Sequence, residues 1–110
     1  MDLSKKDKKI ARQIIEKGLQ QEFANGLNSF DSILNHWKEQ KKDNRDSYHL
    51  LYKSLTDFDK HIARRYDRMT GSSYLFIIAG QLSDSVITEH DIMELSQEAQ
   101  NFINGIGSMQ

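Results

Sequence analysis

The chain has 110 residues, of which 37% are hydrophobic and 28% charged, with a net charge of −1 and a mean hydropathy of −0.69. A length like this suits one domain, since splitting it would leave pieces too small for a proper core. Cysteine is absent, which excludes a disulfide framework, a thiolate metal site and a cysteine nucleophile.

Helical spacing of the apolar positions and a small net charge argue against disorder. No apolar run approaches the roughly 18 residues of a membrane span; Tyr74 to Ala79 is only six. The opening MDLSKKDKK lacks the apolar stretch of a secretory leader, so a cytoplasmic protein without membrane contact is expected. Charge is split along the chain. All 15 Lys and Arg fall in residues 1–68, where the balance is +4, whereas residues 69–110 carry five acids and no base.

With no proline, helices can run long. Ser4 followed by Asp7 reads as an N-cap with an acid in the first turn. Ala11, Ile15, Leu19, Phe23 and Leu27 then recur in four-residue steps. Asn25-Gly26-Leu27 looks like a glycine C-cap, which gives helices over about 5–25 and 29–41. The periodicity stays in phase through Phe30 and Trp37, so one long helix is the alternative.

A polar loop at 41–47 precedes the strongest pattern in the chain. Tyr48, Leu51, Leu55, Phe58, Ile62, Arg65 and Met69 make a heptad seam within a helix over about 46–69. Thr70–Ser73 breaks it, with Gly71 as the turn and Ser72 or Ser73 as the next cap. Tyr74–Ala79 is apolar on every side, which predicts a buried helix at 74–82 within an element over 73–82. Thr88 with Asp91 forms a capping pair. Ile92, Leu95, Ala99, Phe102 and Ile106 then mark a last helix over 88–104, ended by Asn104-Gly105. The expectation is an all-α, single-domain bundle of four to five helices, mostly antiparallel.

Function is written far less clearly. Lys53, Lys60, Arg64 and Arg68 form a basic ridge opposite the seam, suited to phosphates, but Asp57, Asp59 and Asp67 interleave with it. The pI of 6.4 is also far from that of a domain driven onto nucleic acid by phosphate contacts. Asp57–His61 and His90–Glu94 are each four apart, so each pair shares a helix face. Yet neither H-E-x-x-H nor a paired Glu-x-x-His set is present. Nucleotide-binding glycine motifs and nucleophile elbows are absent too. Asp91, Glu94 and Glu98 step by three and four, as an acidic ridge on the last helix. Arg65, a charge on the seam, is expected to keep its head in water or to meet an acid of that helix.

The leading expectation is a non-enzymatic helical module that binds another protein or itself, with Lys53, Lys60, Arg64, Arg68, Glu94 and Glu98 as candidate partner-binding residues. No catalytic, cofactor-binding or metal-binding residue is assigned. The alternative is a weak nucleic-acid-binding regulator using the basic ridge. A metal-dependent helical enzyme stands third.

Overall fold

The computed structural model describes residues 2–67 and 69–108. It is all-α, and no strand occurs among the described residues. The elements are α1 (Lys5–Lys38), α2 (Asn44–Tyr66), α3 (Tyr74–Ser83), a short 3-10 turn (Glu89–Ile92) and α4 (Gln97–Ser108). No helix among the described residues is long and apolar enough to cross a membrane.

The pair of helices expected over 5–25 and 29–41 is one continuous helix of 34 residues. Gly26 sits inside it, and no described glycine has a positive φ. A glycine in mid-helix costs about 1 kcal/mol, and the reason for accepting it is steric. A Cβ at Gly26 would lie 2.7 Å from the end of the Phe58 ring, so the bare backbone is what lets α2 approach. The real C-cap comes at Gln40, which adopts a φ of 58°. There the Lys41 N–H donates to His36 O and the Gln40 N–H to Trp37 O, each at 3.0 Å, the two bonds of a Schellman motif. α3 ends in the same way, with Ser85 at φ 61° and Val86 N–H bonded to Gln81 O.

By contact the chain divides into two compact units. One comprises Met1–Gln21 and Arg68–Gln110, the other Glu22–Asp67, and α1 contributes to both. The first holds every buried hydrophobic side chain among the described residues, including Ala11, Ile15, Leu75, Ile78, Ile92, Ala99 and Ile103. The expected burial of Leu75, Ile77 and Ile78 is observed, but Phe76 is 57% exposed, so the run Tyr74–Ala79 is apolar all round without being buried all round. The Ser4 cap is present, with its hydroxyl accepting from the Asp7 N–H at 3.0 Å. Asp7 in turn accepts from both the N–H and the hydroxyl of Ser96, and the same hydroxyl accepts from Ala99 N–H. Ser96 therefore caps α4, which is why the helix expected over 88–104 is broken between Ile92 and Gln97. Gly105 lies inside α4 rather than ending it. Gln81, fully buried, donates to Ile15 O at 3.0 Å and fills the space left by Gly18.

The second unit is an α-helical hairpin. Its cross-helix contacts pair Glu22 with His61, Gly26 with Phe58 and Trp37 with Asn44. The partner number falls as the first rises, so the two helices run antiparallel. Asp43 caps α2 through Asp46 N–H at 2.7 Å.

Candidate functional site

In the hairpin the only buried described residues are Glu22, Gly26 and Ser47. Phe58 packs edge-on to Phe23 and Phe30, with ring centroids 6.0 and 5.7 Å apart, and Leu51 and Ile62 on α2 are half-buried. The outer part of the heptad pattern is open: Tyr48 is 64% exposed, Leu55 44%.

Most of the exposed large apolar residues of the hairpin fall on one side, with Leu50 of α2 on the other. Measured round α1 from Gly26, which faces α2, Phe23, Leu34 and Leu27 lie at about 60°, 80° and 100° for 3.6 residues per turn. Measured round α2 from Phe58, Leu55, Tyr48 and Tyr52 lie at about 60°, 80° and 120° in the same sense. In antiparallel helices equal senses of rotation lead to the same side of the pair. The hairpin thus carries one continuous apolar face made by six large side chains, all classed as exposed. Near its loop end an open apolar cleft of about 240 Å³ is lined by Ile33, Leu34, Trp37, Ser47, Tyr48 and Leu51. Trp37 is held there by its indole N–H bond to Asn44 at 2.7 Å.

At the other end of the hairpin stands a polar cluster. Glu22, 5% exposed, accepts on Oε1 from Arg65 at 3.0 Å and contacts His61 Nε2 at 2.6 Å, while its Oε2 accepts from the Tyr66 hydroxyl. Arg65 does meet an acid, and the acid bonded to it here is Glu22 on α1. Such a buried charge with donors on both oxygens is satisfied; it locks the register of the hairpin.

Of the residues singled out in the sequence, Lys53, Lys60 and Arg64 are exposed on α2. Lys53 is bonded to Asp57 at 2.7 Å, which lowers the Asp57 pKa and raises that of Lys53. Arg68 lies outside the described residues. Glu94 and Glu98 are exposed, but on different elements. Asp91 belongs to the 3-10 turn, Glu94 to the link and Glu98 to α4, so the three acids do not form one helix ridge. Asp91 is engaged within its own unit, accepting from Lys17 and from the Thr88 N–H and hydroxyl. The Lys17 hydrogen bond, and then the Thr88 N–H, hold its carboxyl below the usual carboxylate value. The sequence does not mark the exposed hairpin face, because Phe23, Leu27, Tyr48 and Leu55 read there as members of apolar helical stripes. No protein-family model matches the chain, and no curated protein or solved structure matches it significantly.

Proposed function

We propose that this protein is a non-enzymatic helical interaction module that docks a protein partner through the apolar face of the hairpin. The observation carrying this reading is the unequal burial of the two units: one holds all the buried hydrophobic side chains among the described residues, and the other keeps Phe23, Leu27, Leu34, Tyr48, Tyr52 and Leu55 in water on one side. A contiguous apolar patch of this kind, framed by charged residues, is characteristic of a protein interaction surface. Its aromatic content suits an interface core. The nucleic-acid alternative has less support, because Lys53 on the basic ridge is already tied to Asp57. The test is recovery of partners from native lysate by the parent chain and by a Leu27→Asp, Leu55→Asp variant. Proteins retained by the parent and lost by the variant, further copies of this chain included, are expected; identical recovery by both would sink the reading.

A further inference from the structure

Resting on that docking-surface reading, the next step concerns what covers the face. We propose that the occupant is a second copy of this chain, the two hairpins stacking face to face with their loops at opposite ends to close a four-helix bundle. A hairpin of two helices with one open apolar side is half of such a bundle. A two-fold axis lets an identical surface supply the other half.

The charges bordering the face select this partner and this orientation. Residues 22–67 carry eight basic and eight acidic residues, so two copies meet without net repulsion. On the α1 border, beside Leu27 and Leu34, lie Asp31 and Lys38, seven residues apart, with the base nearer the loop. On the α2 border, beside Tyr48 and Tyr52, lie Arg45 and Asp59, again with the base nearer the loop. All four are exposed, and none forms a salt bridge among the described residues. Stacked with loops at opposite ends, each α1 runs beside the other copy's α1 and each α2 beside its α2. Lys38 then faces Asp31 of the other copy, and Arg45 faces Asp59. Both contacts occur twice.

One axis serves both borders. The midpoint of Asp31 and Lys38 falls near Leu34, and that of Arg45 and Asp59 at Tyr52. From the Gly26–Phe58 register, these midpoints lie within about 4 Å of each other along the hairpin at 1.5 Å per residue. Lys and Arg side chains span that difference. With the loops at the same end, bases would face bases and acids would face acids, which opposes that arrangement.

Light scattering on the full chain tests this. The expected mass is twice 12.8 kDa, reverting to a single chain in the Leu27→Asp, Leu55→Asp variant while its helical circular dichroism persists. Arg45→Asp and Asp59→Arg should each weaken self-association at low salt by about tenfold, since each removes two attractions and creates two repulsions of surface strength. Combining them should restore it. A parent that stays monomeric at its highest workable concentration overturns the inference, and partner recovery from lysate then judges the docking-surface reading separately. A dimer insensitive to all these changes overturns it too, because its interface lies elsewhere. Were the aspartate variant to lose its helicity, the Arg45–Asp59 exchange decides alone: failure of the combined variant to recover association counts against the proposed stacking.

Discussion

Glu22 shows what one residue can do to a helix pair. Its carboxylate is buried in a hairpin that buries no large apolar side chain, and it contacts three residues of α2, with Arg65 and Tyr66 donating to it. Truncation removes a charged acceptor of the part-buried Arg65 guanidinium, so Glu22→Ala should cost about 1.5–3 kcal/mol by the scale of hydrogen bonds to charged groups. Glu22→Gln keeps an acceptor and should cost less. Urea denaturation of the three chains checks the order, and equal midpoints would mean that the cluster contributes nothing to stability. In the sequence Glu22 was one of many acids on a charged helix. Only the opposing positions of His61, Arg65 and Tyr66 distinguish it.

At the scale of elements, the helix ends carry the clearest predictions. Gln40 and Ser85 both occupy the left-handed region within Schellman motifs, where a side chain costs roughly 1 kcal/mol relative to glycine. Gln40→Gly and Ser85→Gly should each stabilise the protein by up to about 1 kcal/mol, seen as a raised Tm; a fall for both would contradict the cap geometry. The 3-10 turn gives a pH signature. The pKa of Asp91 is lowered in the folded state by Lys17 and Thr88, so its contribution is present above the unfolded value near 3.8. It disappears as pH falls through the lower, folded value. Asp91→Asn should therefore be less stable than the parent at neutral pH, with the gap closing below about pH 4. Thermal melts from pH 7 to pH 2.5 measure this, and a gap that stays constant with pH would exclude the ionised carboxylate as its source.

For the whole molecule, the division of burial separates two kinds of apolar residue that look alike in the sequence. Ile78 has no exposed surface, whereas Leu27 is 66% exposed. Ile78→Asp buries an unpaired charge, at a cost of several kcal/mol against a total stability of about 5–15 kcal/mol, and should abolish cooperative unfolding. Leu27→Asp should leave the fold intact and act on association alone. Calorimetry with light scattering distinguishes them; a folded Ile78→Asp protein would misplace the core.

What the sequence determined by itself is what short-range periodicity encodes. The all-α class, the seam of α2, the apolar core of α3, and the Ser4 and Thr88–Asp91 caps all follow from spacings of three and four residues. What only the tertiary structure decided depends on residues far apart in the chain. Gly26 reads as a stop but serves as a gap for Phe58. Ser96 lies inside an unbroken apolar stripe but ends it, because Asp7 draws its hydroxyl and backbone N–H. The apolar stripes of α1 and α2 carry the same signal in the half that is covered and in the half that is not. Periodicity states which side of a helix is apolar; whether anything lies against that side is settled by where the rest of the chain goes.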